Sequence, residues 1–306
     1  MEILSASKLD ILKKTGASVA LGTFDGVHMG HRSILALARE NAKNMPVVCY
    51  TFENIPASVF SKDKQPIYTT QEKLAALEAC GVDYVFMPVF TREFSQHSPI
   101  EFLDFLRDSL SAHALAFGFN YSFGKDARGN AQFIEDYAGV NGIKTAVGQG
   151  VMFDGQTVSS SRIRALIKEG NIESANKMLT LPFKLTGEVV HGKHLGSRIG
   201  FPTINFAYPH KIEAKRGVYV SRVRLLGEYY PAITNIGVRP TVENTDRMNV
   251  ETHIMGCDMD LYGKTVSVEL HSFLRDERRF DGVDALCAQL ERDKKIALQY
   301  DFSMLQ

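Results

Sequence analysis

The sequence predicts an α/β protein of two domains, in which a doubly wound parallel sheet is followed by an antiparallel β-barrel with a terminal helix. Three observations support this prediction. The chain has 306 residues, which is more than a single hydrophobic core usually supports. Short apolar runs alternate with helical patterns in the first half. Strand-like runs rich in Val, Thr and Tyr follow one another in the second half. We expect the domains to span residues 1–181 and 182–306.

Five short apolar runs in the first half, each bounded by turn residues, are predicted strands. Four stretches between them have helical spacing, and Gly81 is a favourable residue to end the second helix. Strands that alternate with helices indicate a parallel sheet covered on both faces. The strands are Val19–Leu21, Val47–Phe52, Val82–Val89, Ala114–Phe117 and Lys144–Val147, and the helices are Ser33–Asn41, Gln71–Cys80, Pro99–Leu110 and Ala131–Val140.

The second half is predicted to contain five main strands and one helix. Leu226-Gly227-Glu228 separates two strand-like runs as a hairpin turn would. The helical stretch Ser160–Leu179 is expected to link the sheet to the barrel, and apolar residues recur at helical spacing near the end of the chain. An antiparallel barrel with a terminal helix is the natural architecture for this order. The strands are Phe183–Gly192, Gly217–Leu226, Tyr229–Ile236, Asn249–Met255 and Lys264–Phe273, and the last helix lies within Asp281–Leu298.

The composition is that of an ordinary globular protein without excess charge. Hydrophobic residues make up 44% of the chain, and 35 basic side chains balance 35 acidic ones. This balance argues against nucleic acid or a membrane surface as a partner, because such binders usually carry excess positive charge. The four cysteines form no CxxC pair, and the sequence shows neither a signal peptide nor a membrane-spanning apolar run. We therefore expect a cytoplasmic protein, and the oligomeric state stays open.

The segment GTFDGVHMGH, residues 22–31, lies where the first predicted strand ends and the first helix begins. Ligands gather at such junctions in open α/β sheets, and glycines let the backbone approach a ligand closely. His28 and His31 stand at the helix N-terminus, where imidazoles can donate hydrogen bonds to phosphate oxygens. The alternatives are a tight turn with two surface histidines, or a zinc site, although no third zinc ligand is evident nearby.

This segment resembles the HxGH nucleotidyltransferases, which have a Rossmann-like fold, and in particular the FMN adenylyltransferase module of bacterial bifunctional riboflavin kinase/FAD synthetases. GFNYSFG at 118–124 and SSSRIR at 159–164 are similar to two more segments of that family. A serine-rich helix cap with a surface arginine is the alternative for the last one. The resemblance implies that His28 and His31 are catalytic, that Asn120 contacts FMN, and that ATP is bound by Gly22, Phe24, Asp25, Gly26, Gly30, Ser160, Ser161 and Arg164.

Two positions depart from the family's pattern. Where T-F-x-P-H-P is expected after the second strand, the chain has TFENIP at 51–56, so that Ile55 replaces a histidine. Ser161 replaces a threonine but keeps the hydroxyl. The loss of a polar group beside the expected substrate leaves two alternatives. Either adenylyl transfer is slower, or the loop is built differently from that of the family.

The second half resembles the riboflavin kinase barrel over nearly its whole length. The segment GSRIGFPTIN at 196–205 is similar to the family's signature around P-T-x-N, and five further blocks follow in the family's order. These blocks are Val218-Tyr219, Asn235–Thr241, Val250–His253, Asp260–Gly263 and Phe273–Glu277.

The kinase resemblance implies roles for several residues of the signature and of these blocks. Phosphorylation of a ribityl 5′-hydroxyl requires a base, for which Glu251 is the candidate, and a cation that neutralises the phosphate charge. Thr203 and Asn205 offer oxygen ligands to Mg²⁺ from alternate positions of one strand. Arg275 is expected beside the flavin, and His253 is expected to be structural. The residues expected to bind ATP are Gly192, Lys193, Gly196, Gly200, Pro202, Thr203 and Asn205. Alternatively, P-T-x-N is a turn and Glu251 a solvent-facing strand residue.

The function expected from both resemblances is the conversion of riboflavin to FMN and then to FAD, with ATP as co-substrate in both steps and Mg²⁺ as cofactor. The partners are thus riboflavin, FMN, FAD and ATP. Three other hypotheses stay open. They are a kinase with an impaired adenylyltransferase, motivated by Ile55, a non-catalytic flavin or nucleotide sensor, and an RNA-binding barrel, which the neutral charge disfavours.

Overall fold

A computed structural model describes residues 1–61, 64–192, 195–209, 211–239 and 247–305. It divides into two compact units, Met1–Arg162 and Ile163–Gln306. The expected division at 181/182 stays a prediction. Among the described residues, no helix is both long enough and apolar enough to cross a membrane.

The first unit is built on a six-stranded parallel sheet with helices in its connections, as the sequence predicts. Its strand order is β1-β4-β3-β2-β5-β6. The strands are β1 Glu2–Leu4, β2 Ala17–Leu21, β3 Val47–Tyr50, β4 Tyr84–Phe86, β5 Ala112–Gly118 and β6 Lys144–Gly148, followed by the small hairpin β7 Met152–Phe153 and β8 Gln156–Thr157. The helices are α1 Met29–Ala42, α2 Thr70–Ala79, α3 Pro99–Asp108 and α4 Ala131–Asn141, and α5 Ser160–Glu169 starts in this unit.

The strand order of the first unit reverses between β2 and β5. From β2 the chain builds outward through β3 and β4, and then returns to add β5 and β6 on the other side. The carboxyl ends of β2 and β5 therefore diverge into separate connections, and this leaves a crevice in which open α/β sheets bind ligands. Short 3₁₀ helices at Ala6–Lys14, Pro56–Val59, Phe94–Gln96 and Lys125–Ala127 complete the connections.

The second unit is a six-stranded antiparallel sheet of order β10-β13-β12-β11-β14-β9. A backbone bridge between Val190 and Asn205 brings its two edges together, so that the sheet nearly closes into a barrel. The strands are β9 Lys184–Glu188, β10 Ile204–Ala207, β11 Gly217–Leu225, β12 Glu228–Arg239, β13 Arg247–Ile254 and β14 Thr265–Arg275. The helices are α6 Ile172–Met178, α7 Leu195–Arg198 and α8 Val283–Gln299, with a 3₁₀ turn at Phe302–Leu305.

The predicted hairpin of the second unit is confirmed. Leu225 pairs with Glu228, and Leu226 and Gly227 between them have φ values of 50° and 93°. A two-residue turn with positive φ at both positions matches the twist of the flanking strands. Leu226 contributes no packing there, since its side chain is 92% exposed.

The structure differs from the prediction in several elements, among them the link between the two halves and two edge strands. The link expected as one helix, Ser160–Leu179, is two helices, because Gly170 adopts a φ of 86° and Asn171 caps the second helix through its side chain. Strands β1 and β10 were not predicted as separate elements. Both are edge strands of three or four residues, too short to show a clear period in the sequence.

Candidate active sites

A cleft of about 400 Å³ opens at the carboxyl ends of β2 and β5 in the first unit. This is the reversal point of the strand order. Seven of the residues predicted from the sequence line it, and residues of the three segments GTFDGVHMGH, GFNYSFG and SSSRIR meet there. The predicted residues on its wall are Gly22, His28, Gly30, His31, Asn120, Ser160 and Ser161.

His28 and His31 stack on each other at the start of α1. Their ring centroids lie 3.7 Å apart, with the planes 14° from parallel. His28 is the N-cap of α1, and its Nδ1 accepts a hydrogen bond from the backbone N–H of His31 at 3.3 Å. Because Nδ1 is an acceptor there, the proton of a neutral His28 lies on Nε2. Nε2–H is therefore the group that His28 can donate to a phosphate oxygen.

Both imidazoles are held neutral at physiological pH. Burial lowers the pKa of His28 to about 4, while a hydrogen bond to its own backbone acts in the opposite sense and Arg32 lowers the pKa further. Burial also lowers the pKa of His31 well below its usual value, with additional contributions from His28 and Lys73. The two rings can thus donate hydrogen bonds without carrying charge, which suits a site that binds a polyphosphate in more than one protonation state.

The loop before α1 has an unusual backbone. Phe24, Gly26 and Val27 all have positive φ, at 47°, 82° and 37°. For a bulky residue this conformation is strained, and it persists only where the surroundings fix it. The side chains of Phe24 and Val27 are fully buried, and their packing fixes the loop beneath the cleft.

Asp25 stabilises this loop through hydrogen bonds of its side chain and its carbonyl oxygen. Its side chain is 3% exposed, and Oδ1 accepts a hydrogen bond from the backbone N–H of Ile67 at 2.9 Å. Its carbonyl oxygen accepts another from Ser160 Oγ at 2.9 Å. Neither Phe24 nor Asp25 is among the residues that line the cleft, so their side chains support the loop. Arg164, also predicted to bind ATP, lies on α5 within the second unit.

Lys73 on α2 is a functional candidate that the sequence analysis missed. Its side chain is 5% exposed, and Nζ donates a hydrogen bond to the carbonyl oxygen of Phe52 at 2.7 Å. Burial lowers its pKa, whereas Asp25, Cys49 and Glu53 act to raise it. A lysine on a helix gives no local signal of burial, because its surroundings are formed by residues distant in the chain.

A second cavity of about 480 Å³ lies beside the cleft and shares four of its residues, among them Gly22 and Tyr121. Seven of its lining residues are aromatic, and Phe52 and Phe90 each take part in edge-to-face contacts with neighbouring rings. The aromatic residues are Phe52, Phe60, Phe90, Phe94, Phe102, Tyr121 and Phe123. Ile55, the residue that departs from the family's pattern, lines neither cavity among the described residues and precedes the 3₁₀ helix Pro56–Val59.

In the second unit, polar residues form a row across neighbouring strands. Asn205 on β10 is opposite Glu251 on β13, and Glu251 is opposite Asn235 on β12. Directly opposite residues share one face of a sheet and have Cβ atoms about 4.5–5.5 Å apart. The row continues to Val218 on β11 and Arg275 on β14.

Two cavities meet at Thr203, which lines both. One, of about 230 Å³, is lined by Glu251, Asn235 and Arg275 together with apolar side chains of α8. The other, of about 180 Å³, is lined by Pro202, Thr203 and residues from Cys257 to Tyr262. This arrangement provides separate spaces for two substrates on either side of a shared polar residue.

Thr203 and Asn205 fit the expected role in binding a hard cation. The side-chain nitrogen Nδ2 of Asn205 donates to Thr203 Oγ1 at 3.3 Å, which places the two side chains next to each other, and Glu251 is the strand partner of Asn205. Hydroxyl, amide and carboxylate oxygens are ligands of the type that Mg²⁺ takes beside substrate phosphates. No group of three or more His, Cys, Asp or Glu side chains in the described part of the chain is placed to hold a metal ion.

The glycines expected in the ATP loop pack closely with this region. A Cβ on Gly192 would lie 2.7 Å from Asn205 Nδ2, and one on Gly196 would collide with the carbonyl oxygen of Phe201. Gly200 has a φ of 83°, which favours glycine. Lys193 lies outside the described residues.

Arg275 lines the larger cavity but is already paired. Its Nε and Nη2 donate to Asp293 Oδ2 on α8 at 3.0 and 2.8 Å. Asp293 is 1% exposed, and its other oxygen accepts from Gln289 at 2.7 Å. Arg275 therefore joins β14 to α8 at the cavity wall. His253, expected to be structural, contacts the carbonyl oxygen of Pro202 through Nδ1 at 2.8 Å.

Known proteins match the chain over both units. The FAD synthetase family model matches residues 10–162, and the riboflavin kinase family model matches residues 179–300. A bifunctional riboflavin kinase/FMN adenylyltransferase from Escherichia coli K12 is 36% identical over 93% of both chains. One from Bacillus subtilis is 31% identical over 94% of this chain and 93% of the relative. A crystal structure described as a macrolide-efflux protein from Streptococcus pneumoniae matches with a TM-score of 0.86, 29% identity and 94% coverage of each chain.

Proposed function

This chain belongs to the family of bifunctional riboflavin kinase/FMN adenylyltransferases, and from that membership we propose which residues carry each reaction. The enzyme phosphorylates riboflavin with ATP to give FMN and ADP, and adenylylates FMN with a second ATP to give FAD and pyrophosphate. The kinase assignment rests on the row Asn205, Glu251 and Asn235, of which Glu251 and Asn235 line the larger cavity, and on Thr203, which this cavity shares with the second one. The cleft at the His28–His31 pair carries the adenylyltransferase assignment.

In the first unit, ATP binds in the cleft and the flavin ring of FMN binds in the aromatic cavity beside it. His28 donates through Nε2–H and His31 donates alongside it, to oxygens of the α- and β-phosphates on which charge develops during attack. The amide of Asn120 contacts FMN, and the backbone N–H groups at the start of α5 together with the Ser161 hydroxyl hold the ATP phosphates from another wall. No covalent intermediate is required, because positioning and charge stabilisation are sufficient for in-line transfer.

In the second unit, riboflavin binds in the larger cavity with its 5′-hydroxyl at Glu251, which accepts the proton as the oxygen attacks the γ-phosphate. ATP binds on the other side of Thr203, where Pro202 and the glycines of residues 192–200 cover it. Thr203 and Asn205 would hold Mg²⁺, which when bound neutralises charge on the transferred phosphate. Asn249 donates to Glu251 Oε1 at 3.3 Å, and this contact orients the carboxylate.

The cytoplasmic location and the absence of nucleic-acid and membrane partners stay predictions from the sequence. The placement of Ile55 outside both cavities gives the impaired-adenylyltransferase alternative no support, so we retain the two-step function.

The test is to incubate the full chain with riboflavin, ATP and Mg²⁺ and to separate the flavins by chromatography. The wild type should form FAD. Glu251→Gln should form no FMN from riboflavin but should still convert added FMN to FAD, while His28→Ala and His31→Ala should accumulate FMN. Glu228→Gln on the exposed hairpin and His113→Ala at the opposite end of β5 serve as matched controls. Loss of both steps in one variant would contradict independent sites.

A further inference from the structure

Asn235 places an unpaired acceptor beside the proposed base of the kinase site. Its Oδ1 is buried and has no hydrogen-bond partner among the described residues. Asn235 is directly opposite Glu251 on the neighbouring strand, and both line the larger cavity of the second unit. A buried acceptor without a donor destabilises the protein, and it is therefore a position at which a ligand's donor is expected.

Glu277 determines which end of the Asn235 amide faces the cavity. Asn235 Nδ2 donates to Glu277 Oε1 at 3.1 Å, so the amide nitrogen is turned to the carboxylate and the oxygen is left to the ligand. The carboxyl group of Glu277 lies against Gly237, where a Cβ would collide with Oε1 and lie 3.0 Å from Cδ. A carboxylate accepts only, so rotation of the amide by 180° would lose this bond and place two acceptors together.

The order of Asn205, Glu251 and Asn235 across the strands indicates which ligand group donates to Asn235 Oδ1. Asn205 lies on the phosphate side of Glu251, and Asn235 lies on the opposite side, towards Val218 and Arg275. Neighbouring strands are about 4.8 Å apart, a distance that separates the hydroxyl oxygens on the first and third carbons of an extended polyol. With the terminal hydroxyl at Glu251, the secondary hydroxyls of the same chain pass Asn235, and each of them is a donor.

We propose that Asn235 Oδ1 accepts a hydrogen bond from a secondary hydroxyl of the ribityl chain and selects flavins that carry this polyol, with Glu277 as the residue that positions the amide. This inference rests on the proposed function of Glu251. It adds a specificity determinant that acts on a part of the substrate that does not react. A site built to bind a hydroxyl discriminates strongly against an analogue without it, because its own buried group is left unpaired.

The test compares kcat/KM for riboflavin with that for its 4′-deoxy and 3′-deoxy analogues. In the wild type, one of the two analogues should react about 10- to 100-fold less well than riboflavin, which corresponds to one buried hydrogen bond. Asn235→Ala should lose a similar factor on riboflavin, mainly through KM, and little more on that analogue. FMN adenylylation by the first unit, measured in the same preparation, controls for protein quality.

Variants of Glu277 separate positioning from folding. Glu277→Ala frees the Asn235 amide to rotate and should reduce the discrimination between riboflavin and the deoxy analogue at least several-fold. Glu277→Gln retains an acceptor for Asn235 Nδ2 and should restore most of this discrimination. Equal turnover of riboflavin and both analogues by the wild type would overturn the inference, as would unchanged discrimination in Asn235→Ala. Failure of the proposed function would be recognised separately, since Glu251→Gln would then still phosphorylate riboflavin.

Discussion

His28 and His31 share one hydrogen bond and one stacking contact: Nδ1 of His28 accepts the backbone N–H of His31, and the two rings lie 3.7 Å apart. The first contact caps the helix and fixes the tautomer of His28. The second brings the rings so close that a charge on either one would oppose a charge on the other. In the proposed function, the pair therefore acts as two neutral donors at the helix N-terminus, where the helix dipole already favours an anion.

The first prediction concerns acid stability. Because the pKa of His28 falls from 6.5 to about 4 on folding, the unfolded chain binds a proton between these values that the folded chain does not, and stability is lost as the pH falls through this window. The Oδ1 of His28→Asn can still accept a hydrogen bond from the His31 N–H. At pH 4, the decrease in the free energy of unfolding should be smaller in this variant than in the wild type by up to roughly 3 kcal/mol. Amide hydrogen exchange in β2 and β5 reports the stability of this unit.

His28→Ala provides the comparison for that experiment. It removes the titrating ring and also the capping acceptor, so at pH 8 it should be about 1 kcal/mol less stable than His28→Asn. An acid dependence in His28→Asn as steep as in the wild type would contradict the assignment to His28.

The second prediction separates stability from activity at Gly30. A Cβ on Gly30 would lie 3.2 Å from His28 Cε1 and 3.3 Å from Nδ1, so Gly30→Ala should displace the ring and slow FMN adenylylation by at least about tenfold. Alanine is otherwise favoured over glycine in a helix by up to about 1 kcal/mol, so the unit should not unfold more readily. Gly139→Ala on α4, where a Cβ meets no atom of the described structure within 4 Å, is the matched control and should leave adenylylation unchanged.

The third prediction concerns the buried Lys73. Lys73→Met leaves the Phe52 carbonyl oxygen without its donor, and this should destabilise the first unit by about 1–3 kcal/mol. The Phe52 ring lines the aromatic cavity, so the KM for FMN should rise while riboflavin phosphorylation in the second unit stays unchanged. Lys144→Met, at an exposed position on β6, should change neither quantity. An unchanged KM for FMN in Lys73→Met would show that Phe52 keeps its position without this bond.

The fourth prediction concerns the pair Arg275 and Asp293. Removal of the carboxylate in Asp293→Ala leaves the Arg275 guanidinium largely buried without a counter-charge, which should cost about 3 kcal/mol in the second unit. Riboflavin should also bind more weakly, because Arg275 lines its cavity. Asp276→Ala removes a neighbouring carboxylate that is 74% exposed and paired with Lys215, and it should cost less than about 1 kcal/mol. Equal effects of the two substitutions would contradict the special role of Asp293.

The sequence by itself determined the two kinds of sheet, the predicted hairpin and the segments that meet at each site. Strand and helix periods depend on neighbouring residues, so the parallel sheet of the first unit and the antiparallel sheet of the second were confirmed. His28 and His31 were identified as a pair because three residues of helix suffice to bring them together. The break in the linking helix could also have been predicted locally, because Gly170 is a typical residue to end a helix and Asn171 a typical residue to cap the next one. It was missed because apolar residues keep helical spacing on both sides of it.

Only the tertiary structure decided which distant residues share a site. Residues 205, 235 and 251 come together because strand register aligns β10, β13 and β12, and a shift of one residue would turn each side chain to the other face. Lys73 and Asp25 acquire their roles from burial among residues far away in the chain, and the pKa of His28 is set in the same way. These properties depend on contacts between separate segments, which local sequence patterns do not encode.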